Sequence, residues 1–166
     1  MKRLALLAIL LMTVTAEAAT TIILVRHAEK APVSGDMPIS EAGIIRAKEL
    51  ARVLAGARIT AIYTTQYRRT RETVAPLAEA LKLTPEVLEA GKEYPANVVK
   101  AIREKHQGGT VLVAGHSNTT VDVLRELGMK DPPFIPEPQF DDLFVCTLVE
   151  GAPASCVALR YGAATR

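Results

Sequence analysis

The sequence predicts an α/β fold: a three-layer sandwich with a mostly parallel central sheet, helices on both faces and a C-terminal β-hairpin. Three observations carry this reading. Thr20 to Val25 and Thr110 to Ala114 are short, apolar runs rich in β-branched residues, without the polar alternation of a half-exposed strand; that is the form of parallel strands buried on both faces. Strand signals then alternate with helical periodicity up to about residue 128, as successive βα units do. Last, two apolar stretches flank the turn signal Glu150-Gly151-Ala152-Pro153.

The elements follow in order. After the first strand, Ala31 to Pro38 is rich in Pro, Gly, Ser and Asp and reads as loop. Ser40 can cap a helix, Glu41 suits its positive end and Gly56 stops it. Ile44, Ala47, Leu50, Ala51 and Leu54 recur within it at helical spacing. Ala61-Ile62-Tyr63 is a short strand, and a basic helix follows from about Gln66 to Leu81. Its inward face is Val74, Leu77, Ala78 and Leu81, and Pro76 is expected to kink or split it. Glu86-Val87-Leu88 is a weak third strand. Pro95 opens a helix that buries Val98, Val99 and Ile102 and ends at Gln107-Gly108-Gly109. The strand Thr110 to Ala114 is followed by a helix from Ser117 to Leu127, stopped by Gly128. Asp131 to Pro138, with four prolines in eight residues, is a loop. Leu143 to Val149 and Val157 to Tyr161 form the hairpin.

The chain's 166 residues suit one domain, and a hydrophobic fraction of 49% supplies a core. Aromatics at 4% and the lack of tryptophan argue against a stacking platform for single strands or glycans. A net charge of +2 without a basic block gives no sign of nucleic acid as a partner. Lys2 and Arg3 followed by the apolar run Leu4 to Val14 and the small residues of Ala16-Glu17-Ala18 read as a signal peptide over residues 1–18. The run is short of the ~20 residues that span a bilayer. The expectation is an exported protein, periplasmic or secreted, with the domain over residues 19–166 and no stable membrane association after cleavage. Cys146 and Cys156 flank the hairpin turn and can face each other. In an oxidising compartment they can form a cross-strand disulfide, or they can remain two free buried thiols.

Three clusters carry chemistry. Arg26-His27 ends the first strand. A neutral imidazole can attack phosphorus without an added base, and a guanidinium fork matches phosphate oxygens. Tyr63 through Thr73 runs from a strand into a helix start with three arginines, although cations are favoured at the opposite end of a helix. That placement suggests an anion at the helix N-terminus. Gly115-His116-Ser117-Asn118 again places a histidine between strand and helix. In open α/β sheets ligands bind past the carboxyl ends of strands, so two of the chain's three histidines can meet in one crevice. No metal-ligand spacing is apparent.

Together these clusters resemble the histidine phosphatase superfamily, which includes the cofactor-dependent phosphoglycerate mutases. Leu24-Val25-Arg26-His27-Ala28-Glu29 looks like its Arg-His-Gly signature, with Ala28 in place of glycine. Pro38-Ile39-Ser40-Glu41-Ala42-Gly43 looks like the Pro-Leu-Thr-Glu-x-Gly segment. Tyr63-Thr64-Thr65 through Arg69-Thr70-Arg71-Glu72-Thr73 looks like the segment holding a second phosphate-binding arginine, and Val113-Ala114-Gly115-His116 looks like the Val-x-Gly-His segment. The resemblance implies a metal-independent and cofactor-independent phosphatase, a phosphoric monoester hydrolase. His27 would be phosphorylated while Arg26, Arg69 and His116 hold the phosphoryl oxygens, with Ser117 and Asn118 beside them.

The resemblance is loose at the general acid. Val87-Leu88-Glu89-Ala90-Gly91 approximates the family's glutamate segment, so Glu89 is the expected donor, with Glu93, Asp141 and Asp142 as alternatives. Glu29 reads as a support for His27. The expected substrate is a phosphorylated small molecule or protein. Two other readings stay in view: a phosphoglycerate mutase-type phosphotransferase, and a phosphate-binding module without catalysis.

Overall fold

The computed structural model describes residues 18–165, so the signal-peptide segment lies outside the described residues apart from Ala18. The elements are β1 (Thr20–Arg26), α1 (Glu41–Leu54), β2 (Ile59–Thr65), α2 (Arg68–Leu81), β3 (Glu86–Leu88), α3 (Tyr94–Lys105), β4 (Thr110–Gly115), α4 (Ser117–Glu126), β5 (Asp142–Leu148) and β6 (Ser155–Arg160). They build one six-stranded sheet in the order β3-β2-β4-β1-β5-β6. The first four of these strands run parallel, and β5 and β6 add antiparallel to β1. Among the described residues no helix is long and apolar enough to cross a membrane.

Side-chain alternation along buried strands explains the three layers. Ile22 and Leu24 of β1 and Val111 and Val113 of β4 pack on one face with Val98, Ile102 and Leu124 from α3 and α4. Ile23, Val25, Leu112 and Ala114 point the other way, to Leu50, Leu54, Val74 and Leu77 from α1 and α2. Each such fully buried aliphatic side chain contributes about 1.5–3 kcal/mol. The sandwich expected from the sequence is therefore present, with α1 and α2 on one face and α3 and α4 on the other.

Several local expectations change. Ile44 is 44% exposed, while Arg46 is buried. Arg46 is admitted because Glu29 takes its Nε and Nη2, and the Tyr161 and Ala163 carbonyls accept from its Nη1 and Nη2. Pro76 does not split α2, which runs unbroken through it; only the hydrogen bond from position 76 to the carbonyl one turn earlier is forgone. β2 extends past Tyr63 because it has partners on both sides, β3 and β4. The threonines this adds, Thr64 and Thr65, are fully buried.

Cys146 and Cys156 are opposite each other in the β5–β6 register and are disulfide-bonded, with Cα atoms 4.0 Å apart. Of the two possibilities the sequence leaves open, the structure shows the cross-link. It closes a short loop, at a sequence separation of 10. Replacing both cysteines by serine should lower the unfolding free energy by about 2–4 kcal/mol, read from urea titrations of both proteins under oxidising conditions. An unchanged urea midpoint would contradict a stabilising cross-link.

Candidate active site

β1 and β4 are adjacent and parallel, with Arg26 in register with Gly115. The residues that follow, His27 and His116, must therefore emerge side by side at the carboxyl edge of the sheet. His27 N–H donates to the Gly115 carbonyl at 2.8 Å, and the two imidazoles lie edge to face with centroids 5.3 Å apart. Gly115 carries no side chain for a local reason. A Cβ there would sit 2.7 Å from Thr119 Oγ1, and that hydroxyl accepts from His116 N–H at 2.8 Å to cap the start of α4. Gly43 does the same for α1, since a Cβ would come within 2.5 Å of the Glu29 carbonyl.

His27 is 3% exposed. Its Nδ1 lies 2.7 Å from the Ala28 carbonyl, which can only accept, so Nδ1 carries the proton. The lone pair is left on Nε2. Burial, helped by His116, Arg26 and Arg69 and opposed by the Ala28 carbonyl, pushes the pKa of His27 down to about 3. The same causes, burial first and then Arg69, Arg26 and Lys30, take His116 down to about 4. Both rings are neutral at pH 7. Nε2 of His116 is bonded to Thr65 Oγ1 at 3.0 Å, and Thr65 in turn to Thr70 Oγ1 at 2.9 Å. The buried threonines at the end of β2 and in α2 thus orient this histidine.

Arg69, in the first turn of α2, stacks its guanidinium 4.3 Å from the Tyr67 ring centroid. Arg26 is 1% exposed and lies 4.3 Å over the Phe140 ring. Its Nη1 donates to the carbonyls of Pro136, Glu137 and Gln139 at 2.8, 2.8 and 3.0 Å, and its Nη2 to Glu137 Oε2 at 2.9 Å. The sequence expectation aimed the whole Arg26 fork at a phosphoryl group; here the two Nη atoms organise the proline-rich loop. The Nε atoms of both Arg26 and Arg69 are buried without a partner. Buried donors are normally satisfied, so two guanidinium Nε–H groups left free beside neutral imidazoles mark an anion site.

A cleft of about 390 Å³ opens onto Arg69 and His116 and is walled by Tyr67, Lys92, Asn118 and Asp122. Asn118 thus joins the site, and Ser117 stands beside it at the start of α4. Glu89 is exposed and, among the described residues, makes no hydrogen bond or ion pair; its neighbours Ala90, Gly91 and Lys92 line the cleft. Glu93 is exposed at the start of α3. Asp141 and Asp142 are buried, and Arg160 Nη1 reaches both at 2.9 and 2.8 Å. Glu29 is held by Arg46. Sequence reasoning passed over Thr65, Tyr67, Glu137 and Phe140. Thr65 and Tyr67 belong to a motif already noted, but the Arg26–Glu137 contact spans 111 residues and has no local signal.

Residues 22–96 match the model of the histidine phosphatase superfamily, branch 1. No curated protein matches the sequence. Among solved structures, the protein histidine phosphatase SixA complexed with tungstate is 18% identical with a TM-score of 0.67, over 84% of this chain and 96% of that one. A mycobacterial glucosyl-3-phosphoglycerate phosphatase with inorganic phosphate is 15% identical with a TM-score of 0.66, over 90% and 98%. A second mycobacterial protein, described as hydrolase 1, is 15% identical with a TM-score of 0.67, over 88% and 99%. The paired strand-end histidines and the two arginines beside them stand with the matched segment: residues 22–96 carry the pattern of the histidine phosphatase superfamily, and the fold is that of the solved histidine phosphatases.

Proposed function

We propose that this chain is a phosphatase that hydrolyses a phosphomonoester, or a phosphoryl group on a protein, through a phosphohistidine on His27. One observation carries the reading. A neutral imidazole has its Nδ1–H tied to the Ala28 carbonyl, freeing Nε2, beside two guanidinium groups whose buried Nε–H atoms have no partner. Nε2 attacks phosphorus in line while Arg69 and the Nε–H of Arg26 take the oxygens, and His116, Ser117 and Asn118 border the developing charge. Holding His27 neutral keeps it nucleophilic, and the fixed positive groups stabilise the phosphoryl dianion once it is attached. Water then cleaves the N–P bond. Removal of an N-terminal signal segment and a site of action outside the cytoplasm are part of the same proposal. They rest on the residue pattern of Lys2 to Ala18.

Two other readings separate by experiment. A mutase returns the phosphoryl group to a sugar acid and releases little phosphate, and a binding module releases none. The assay is phosphate release from p-nitrophenyl phosphate and an alkyl phosphate. His27→Ala should lower it by at least ~10³-fold with the circular dichroism spectrum unchanged. Near-normal turnover in that variant would end the phosphohistidine reading. Because the charge is met by Arg26, Arg69 and His116, exhaustive EDTA treatment should leave turnover within about twofold, and a loss restored by zinc or magnesium would count against it.

The low pKa values have a further consequence. The ordinary histidine value is 6.5, against about 3 for His27 and about 4 for His116. The unfolded chain therefore binds protons that the folded chain refuses. Their contribution to stability is present above pH 6.5 and is lost as pH falls, down to about 4 for His116 and about 3 for His27. Ring NMR of the two histidines should show no protonation between pH 7 and pH 5. A midpoint near 6.5 for either ring would contradict the buried, cation-flanked geometry.

A further inference from the structure

We propose that Glu137, on the proline-rich loop between α4 and β5, is the proton donor to the leaving oxygen; the proposal rests on the phosphatase reading above. Glu137 Oε2 lies 2.9 Å from Arg26 Nη2 and 3.8 Å from Lys30 Nζ. It shares one guanidinium with a buried Nε–H that has no partner among the described residues. Its backbone is anchored: Arg26 Nη1 holds the 136, 137 and 139 carbonyls, Ile135 is buried in the core, and Phe140 stacks on Arg26. Phe140 also lies 5.9 Å from the His27 ring, which ties this loop to the nucleophile. The Glu137 side chain itself is 74% exposed, so it can turn toward a bound ester. Four other carboxylates are engaged: Glu29 by Arg46, Glu72 by Arg68 and the Ile39 N–H, and Asp141 and Asp142 by Arg160, while Glu89 is exposed without a partner among the described residues and serves as the comparison in the test.

Two anions on one cation provide the chemistry. Alone on Arg26, the carboxyl is held ionised and below its usual range by hydrogen bonding and charge from Arg26, with a smaller contribution from Lys30. A phosphoryl dianion at the Arg26 Nε–H brings a second negative charge alongside. Like charges so close do not both remain ionised, and a proton settles on the carboxyl. As Nε2 of His27 bonds to phosphorus and the ester P–O bond breaks, Glu137 gives that proton to the departing oxygen, which leaves as an alcohol. The resulting carboxylate takes a proton from the water whose oxygen attacks phosphorus. The N–P bond breaks, leaving neutral His27 and protonated Glu137 beside phosphate, and as phosphate departs Glu137 returns to solvent the proton it took up when the ester bound. The groups that face this exchange are Arg26 and Lys30 beside the carboxyl, Asp142 and Arg69 flanking Arg26, and the two histidines across the site.

The test compares wild type, Glu137→Gln and Glu89→Gln on an alkyl phosphate, whose leaving oxygen is basic, and on p-nitrophenyl phosphate, whose leaving group departs as a stable anion. Glutamine keeps the size of the side chain and the loop carbonyls that Arg26 holds. Glu137→Gln should lose ~10²-fold or more in kcat on the alkyl ester and less than ~5-fold on the aryl ester. Equal losses on both esters, no loss, or the alkyl-selective defect appearing in Glu89→Gln instead would each overturn the assignment. A second readout needs no turnover. Calorimetry of sulfate binding, in buffers of different ionisation enthalpy, should show wild type taking up more protons than Glu137→Gln, because sulfate does not titrate near pH 7 and uptake by the histidines is common to both. Equal uptake overturns the proposal. A wild type that cleaves neither ester removes the phosphatase reading and this role together; one that cleaves both while Glu137→Gln stays unselective removes this role alone.

Discussion

The in-register pairing of β1 with β4 is the constraint on which the site depends. These strands are buried on both faces and locked between two helical layers, so they have little freedom to slide. A slip of one residue would turn Ile22 and Leu24 to the face now filled by Ile23 and Val25, and it would separate His27 from His116. Two buried, paired strands thus fix the distance between the imidazoles. His27 needs no loop to position it, since it is the first residue past a buried strand and its N–H is bonded to the neighbouring strand's Gly115 carbonyl.

The electrostatics follow from that burial. A histidine surrounded by two guanidinium groups and a second histidine cannot hold a proton when water is excluded. The same crowding of positive charge that keeps the ring neutral also favours a phosphoryl group attached to it. Arg46 shows how this protein treats a buried cation that is not meant for a ligand: Glu29 and two backbone carbonyls saturate it. Arg26 and Arg69, by contrast, each retain a buried Nε–H without a partner. The difference between a satisfied and an unsatisfied buried arginine separates scaffold from site.

Arg26 has a double role that its sequence neighbours do not reveal. Its Nη atoms act as a hub for the loop after α4, replacing regular backbone pairing over a stretch where proline supplies few donors. The loop then brings Phe140 to within 5.9 Å of the His27 ring and the Glu137 carboxylate onto Arg26. Substitution of Arg26 therefore disturbs the loop as well as the candidate site, so Arg69 is the cleaner probe of the proposed anion binding.

The α/β class and the order of elements were legible in the sequence, and so were the strand ends and helix start where His27, Arg26, Arg69 and His116 stand, because local pattern determines them. Unbroken β-branched runs mark doubly buried strands, helical spacing marks α1 to α4, and each candidate residue sits at a strand end or in the first turn of a helix. The hairpin turn put Cys146 and Cys156 within reach of each other, but whether they bond depends on the β5–β6 register that aligns them. Only the tertiary structure decided that Arg46 is buried in place of Ile44, because its partners at Glu29, Tyr161 and Ala163 come from distant segments. It also brought a carboxylate to Arg26 that no motif announces. Glu89 was singled out by its surrounding motif, whereas Glu137 is brought to Arg26 across 111 residues by loop closure and a guanidinium hub. Neither of these leaves a periodicity or spacing that a linear reading can detect.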